Sequence, residues 1–145
     1  MIAKLRRSRK GFTLVELLVV VVVLAVLGAI VVPKFIGAGK SSKESALKSD
    51  LQILRNAIQA FYSDTGYYPA ALNDLAANTA PTNGLDSTGA SKSILAIDWK
   101  GPYVLSIPND PVSSSAFTYS TTAPVGRVNS SASGNATDGT AYSSW

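Results

Sequence analysis

From Phe12 to Val32 nearly every position is apolar, and Glu16 is the only charge in the run. At about 1.5 Å per residue a helix over this stretch spans roughly 31 Å, the thickness of a bilayer's hydrocarbon core. The pattern then changes. Leu47, Leu51, Leu54, Ile58 and Phe61 or Tyr62 recur every three or four positions, with Lys43, Glu44, Lys48, Asp50, Arg55 and Gln59 between them. That spacing gives a helix one apolar face and one polar face. Asp64-Thr65-Gly66 reads as a helix stop. The two patterns together predict one long helix from Phe12 to about Ser63, with an apolar half and an amphipathic half. Gly28 and Pro33 punctuate it, followed by Ile36 to Gly39, "IGAG". In a helix interior glycine costs about 1 kcal/mol and proline about 3 kcal/mol relative to alanine, so Gly28 and Pro33 mark a soft segment. A simple proline kink is the alternative.

Beyond the stop, "YYPAALNDLAAN" predicts a short second helix or turn over 70–77, and the small polar residues of 78–93 predict a loop. "GPYVLSIPNDP" and "SAFTYST" carry β-branched and aromatic residues between Gly, Pro and Asp. They predict an antiparallel strand pair joined by a loop from Pro108 to Ser115. The tail from Arg127 is polar and small-residued; Tyr142 and Trp145 near its end favour docking onto the head over a disordered tail. The expected fold class is α+β: a long N-terminal helix carrying a small head with a short antiparallel β-sheet. The expected divisions are a leader over 1–11, an apolar membrane and assembly helix over 12–33, the amphipathic half over 34–65, and the head over 66–145.

Charge is distributed unevenly. The chain carries +4 overall, but five of its 13 basic residues, Lys4, Arg6, Arg7, Arg9 and Lys10, lie in the first ten positions. From Phe12 onward eight basic side chains face nine acidic ones. The basic character belongs to the leader, and no direct nucleic-acid site is predicted. There is no cysteine, which removes disulfides, thiolate zinc sites and a lipoprotein anchor. There is no histidine either, and the Ser-rich tracts have no base arranged to activate a nucleophile. The expectation is a protein that is not an enzyme.

A basic leader before an apolar run points to export with the basic end cytoplasmic. Three processing routes compete. The run is long for a secretory signal cut at its far end. A plain anchor leaves Glu16 unexplained, since a carboxylate in a membrane helix costs on the order of 2.5–3.5 kcal/mol. Cleavage between Gly11 and Phe12 would leave the apolar helix in place with a new cationic amine at its tip. Glu16 lies four residues on, in the first turn, where the helix dipole favours an acid. Between neighbouring chains an amine–carboxylate pair would fix one sliding offset among many. The residues alone leave this reading level with a Glu16 that snorkels to the headgroups.

"RKGFTLVELLVVVVVLAVLGAIVVPKF" resembles the N-terminus of type IV pilins and type II secretion pseudopilins: basic leader, Gly, Phe, Thr, Leu, an aliphatic, Glu, then an apolar helix. The resemblance implies cleavage after Gly11 by a membrane prepilin peptidase and N-methylation of Phe12. It implies pairing of Glu16 with the Phe12 amine of an adjacent subunit in a helical filament. It also implies local loss of helical hydrogen bonds between positions such as Gly28 and Pro33. The head is similar to that of major pseudopilins in the order of "YYPAALNDL", "GPYVLSIPNDP", "FTYS" and a Gly-rich end at Trp145. In that group the tail loop binds calcium, which makes Asp138, Asn135 and Ser133 the candidate donors here. Asp138 is the only carboxylate after Asp110, so a plain Asp-Gly turn is the favoured alternative.

The expected function is that of a pilin-fold subunit polymerising through its N-terminal helix. A surface pilus for adhesion, motility or DNA uptake is the first expectation, and the major pseudopilin of a type II secretion system the second. A membrane-anchored binding module that never polymerises is a rival of another class. The expected partners are further copies of the chain, the prepilin peptidase, inner-membrane assembly machinery and, before assembly, the membrane itself. The expected path runs from the bacterial inner membrane to an extracellular pilus, or to a periplasmic pseudopilus under the second expectation.

Overall fold

The computed structural model describes residues 11–145, leaving aside the side chains of 33–36. The basic leader ahead of Gly11 lies outside the described residues. The chain divides into two compact units at Gly39–Lys40.

Helix α1 spans Leu14–Thr65, passing through Gly28 and Pro33. It begins and ends within about two residues of the predicted limits. Its end is made by Gly66, whose φ of 75° is left-handed backbone that glycine tolerates. The Gly66 N–H returns to the Tyr62 carbonyl at 2.8 Å, and the Thr65 hydroxyl caps the Phe61 carbonyl at 2.8 Å. In the first unit the apolar side chains of α1 are exposed, from Leu14 at 79% to Val32 at 57%. Among the described residues α1 is the helix long and apolar enough to cross a membrane by length and composition.

The second unit is built on the amphipathic stripe. Leu47, Leu51, Leu54, Ile58 and Phe61 are buried and pack into one core with Leu72, Leu75, Ile94, Phe117, Val128 and Tyr142. Strands β1 (Tyr68–Pro69), β2 (Asn83–Leu85) and β3 (Ser91–Ser93) form an antiparallel sheet in that order. Between β1 and β2 a 3-10 turn, Leu72–Ala76, occupies the predicted short helix and buries Leu72 and Leu75. Gly84 in β2 pairs with Lys92 in β3. A side chain at Gly84 would begin 2.8 Å from the Tyr67 Cβ, so only glycine allows this approach.

The predicted strand pairing is corrected. "GPYVLSIPNDP" forms no strand; β4 (Thr118–Tyr119), inside "SAFTYST", pairs instead with β5 (Val128–Asn129) of the tail. Pro102, Pro108 and Pro111 have no N–H to give a ladder. The Tyr103 and Val104 N–H groups both go to the Leu75 carbonyl, at 2.8 and 3.2 Å. The 78–93 stretch, expected as loop, holds β2 and β3. The tail docks as its aromatics suggested: Tyr142 is buried in the core.

Candidate functional site

The tip of α1 carries the first candidate group. Thr13 precedes the helix, and Glu16 occupies its first turn. Glu16 Oε2 accepts the Thr13 N–H at 2.8 Å and the Thr13 hydroxyl at 3.0 Å. The Thr13 oxygen in turn accepts the Glu16 N–H at 3.3 Å. This reciprocal pair is a capping box, which satisfies helix-start donors that have no partner along the helix. The sequence reading weighed a register role and a snorkelling role for Glu16 and missed this one, although Thr-Leu-Val-Glu shows it. One carboxylate oxygen therefore closes the cap, and the other, Oε1, accepts nothing among the described residues. Gly11 and Phe12 are exposed in the intact chain, Phe12 at 77%. At Gly28 an added methyl group would meet nothing within 4 Å, so packing within this chain does not demand glycine there.

The second candidate region is the tail loop. Lys40, Glu44 and Lys48 stand four residues apart on α1, and each reaches a different part of that loop. The Lys40 ammonium donates to the Asn135 carbonyl at 3.1 Å. Glu44 Oε1 accepts the Thr137 N–H at 2.9 Å, the Thr137 hydroxyl at 3.0 Å and the Tyr142 hydroxyl at 2.8 Å. The Lys48 ammonium lies 3.7 Å from Asp138 Oδ2 and 4.1 Å from the centre of the Trp145 ring. The Trp145 indole N–H donates to the Thr140 hydroxyl at 2.7 Å. Burial pushes the Glu44 carboxyl up, but hydrogen bonds from Tyr142 and Thr137 and the Lys40 charge outweigh it and hold it below its usual value. Tyr142 is pushed up to about 12, first by burial and then by the Glu44 carboxylate. A signal for Glu44 was present: it continues the 3–4 spacing of the buried stripe one step before Leu47.

Two of the three candidate calcium donors, Asp138 and Asn135, are already engaged. Asp138 Oδ1 accepts the Thr140 N–H at 2.9 Å and the Thr140 hydroxyl, closing an Asp-Gly turn, and Oδ2 faces Lys48. Those hydrogen bonds, then the Lys48 charge, hold the Asp138 carboxyl below its usual value. The Asn135 carbonyl is taken by Lys40, and Ser133 is exposed. Among the described residues no group of three or more carboxylate or imidazole side chains is placed to hold a metal ion. A hard cation needs six to eight oxygens, usually with several carboxylates, and this donor set does not fit one.

One further acid organises the head. Asp110 is fully buried. One oxygen accepts the Val112 and Ser113 N–H groups at 2.7 and 3.2 Å; the other accepts the Ser130 hydroxyl and the Ser131 N–H, the latter at 3.1 Å. Burial pushes its carboxyl up, but these four donors prevail and hold it down. It ties the turn at 110–115 to the chain leaving β5. The sequence showed the Asn-Asp-Pro turn but not the distant serines that meet it.

A long helix with an apolar first half, a capped acid in its first turn and a small antiparallel head is the pilin and pseudopilin class of architecture. Residues 6–32 match the prokaryotic N-terminal methylation motif. Residues 34–142 match the family described as type II secretion system (T2SS), protein G, and the chain belongs to that family within the pilin and pseudopilin superfamily. It is 32% identical over 105 residues to a type II secretion system core protein G of Pseudomonas aeruginosa, covering 68% of this chain and 73% of that one. It is 31% identical over 109 residues to the protein of that name in Escherichia coli, covering 71% and 75%. It is also 34% identical over 83 residues to a type IV major pilin protein PilA of Myxococcus xanthus, covering 57% and 37%. No solved structure shows a significant match.

Proposed function

We propose that the chain is the major pseudopilin of a type II secretion system, the second of the two expectations raised by the sequence. The observation that carries this reading is the protein G match over residues 34–142, which covers the head and not only the shared N-terminal motif. The role is mechanical. After cleavage between Gly11 and Phe12, the apolar half of α1 holds the subunit in the inner membrane and then buries itself against copies of itself in a periplasmic filament. Glu16 takes the methylated Phe12 amine of a neighbour through Oε1, which sets the offset between subunits. A second reading, a surface type IV pilus, draws support from the Myxococcus xanthus pilin among its relatives.

The test is deletion of the gene in its native host, followed by two assays. Loss of secreted proteins from the medium, with sheared surface filaments retained, is the expected result. Normal secretion with loss of surface filaments would replace this reading by the pilus. Mass spectrometry of the membrane pool should find a mature chain beginning at a methylated Phe12.

A further inference from the structure

The cleft between α1 and the tail has a volume of about 270 Å³ and is lined by Ser41, Glu44, Ser45, Lys48, Thr137 and Asp138. Two carboxylates, Glu44 and Asp138, meet two ammonium groups, Lys40 and Lys48, at this cleft and the loop beside it. Their formal charges cancel. A divalent cation added here would leave an excess of two positive charges and would lie against the Lys48 ammonium. It would also have to displace Thr140 from one Asp138 oxygen and Lys48 from the other.

We propose that the C-terminal loop is a metal-independent latch, in which the subunit's own lysines do the electrostatic work of a bound cation. The three fastenings differ in strength. Glu44 is 8% exposed and collects three hydrogen bonds on one oxygen. Removing a buried acceptor strands its donors, so this is the fixed anchor. Lys40 holds the Asn135 carbonyl at the near end of the loop. Lys48 is the outer clasp. Its side chain and that of Asp138 are about half exposed, so the ion pair alone is weak and screened by salt. The Trp145 face adds a cation–π contact that salt screens less than a fully exposed pair. Trp145 is thereby fixed to the helix. The consequence is a head that closes its tail equally well with or without calcium.

The experiment uses the full chain in detergent micelles, with head unfolding followed by tryptophan fluorescence and tail accessibility by limited proteolysis. For the unsubstituted protein, a chelator and an excess of calcium chloride should give the same Tm and the same cleavage pattern. Lys48→Met keeps the side-chain length but removes the charge. It should lower Tm by about 3–5 °C and raise tail cleavage several-fold, and calcium should restore neither. Lys48→Arg should behave close to the unsubstituted protein, because a guanidinium also pairs with a carboxylate and stacks on indole. The latch is overturned if chelation lowers the Tm of the unsubstituted protein. It is equally overturned if calcium rescues Lys48→Met, or if Lys48→Met is as stable and protease-resistant as the parent. Lys48 is at the surface and outside the core, so loss of the fold does not obscure the result.

Discussion

The two halves of α1 make opposite use of apolar side chains. In the first unit Val21, Leu24 and Leu27 are 63%, 61% and 53% exposed; in the second, Leu47, Leu54 and Phe61 are fully buried. Hydrophobicity does not separate them, because the exposed half is the more uniformly apolar of the two. Periodicity does. The first half is apolar around its whole circumference, so no face is assigned to water. The second gathers most of its large apolar residues on one buried stripe and leaves Lys43, Gln52, Arg55 and Gln59 exposed, with Ile53 half exposed beside them. The second half finds its partner within the chain, in the strands and loops of the head. The first half has no such partner among the described residues, which fits the membrane anchoring and assembly of the pilin and pseudopilin superfamily. A helix can therefore be continuous in hydrogen bonding while its two parts answer to different solvents.

The sharpest way to break this comparison is to cut the same kind of contact in each half. Phe61→Ala removes a buried ring that packs on Tyr103 at 5.5 Å and should destabilise the head by about 3–5 kcal/mol. Val21→Ala, on the exposed half, should leave denaturant unfolding of the head unchanged. Unfolding of both variants in detergent, followed by tryptophan fluorescence, decides this. Equal effects from the two substitutions would mean that both halves share one cooperative core.

A smaller effect comes from acid. Asp110 and Glu44 have folded pKa values below their unfolded ones, near 3.9 and 4.3 for model groups. A depressed carboxylate contributes stability that is present above the unfolded pKa and is lost as pH falls through the folded pKa. The Tm of the head should therefore be flat from neutral pH to about 5 and fall below about 4. Asp110→Asn should reduce the plateau and make the acid slope shallower, since one of the responsible groups is gone. A slope unchanged in Asp110→Asn would assign the acid sensitivity elsewhere. Association of the first half with detergent or lipid should not follow this curve.

The difference between the halves also explains what was legible in the sequence. Both parts of α1 follow local rules, a periodicity and a glycine stop, and both were read within about two residues. The strands follow no such rule. β2 and β3 are "NGL" and "SKS", poor strand formers. They pair because Asp86 closes the turn between them, accepting the Thr88 and Ala90 N–H groups at 2.9 and 3.0 Å. The Thr88 hydroxyl, which also donates to Asp86, then those N–H groups and the Lys92 charge hold the Asp86 carboxyl down to about 2. Conversely, Tyr103, Val104 and Ile107 have strand-like side chains but use them to pack on the core from an irregular backbone. Tertiary burial satisfied the side chains, and the prolines denied the ladder. Glu44 continued the buried stripe and Asp110 showed its local turn, but neither showed the distant partners that make it an anchor, Thr137 93 residues from Glu44 and Ser130 20 residues from Asp110.

The smallest effect on the single chain lies at the tip of the exposed half, where Glu16 caps its own helix and, under the proposed function, has a second occupation. As the proposed register device it would serve a neighbour. The two roles have different chemical requirements. A capping box accepts Gln in place of Glu, because an amide oxygen can also receive the Thr13 N–H. A charge pair with a buried amine does not accept it. Thr13→Ala removes the hydroxyl from the cap but leaves the carboxylate, at a cost of about 1 kcal/mol in helix stability. Both variants should be made, inserted and cleaved, and both should leave the Tm of the head unchanged. Their assembly should diverge. Glu16→Gln strands each amine in an apolar bundle, and breaking a buried pair this way costs about 3–5 kcal/mol. Its sheared or overexpressed filament fraction, measured against the membrane pool, should fall at least tenfold. Thr13→Ala should assemble nearly as the parent does. The reverse order, with Glu16→Gln assembling normally and Thr13→Ala failing, would make Glu16 a helix cap alone. The first half of α1 would then carry no specificity beyond its apolar surface.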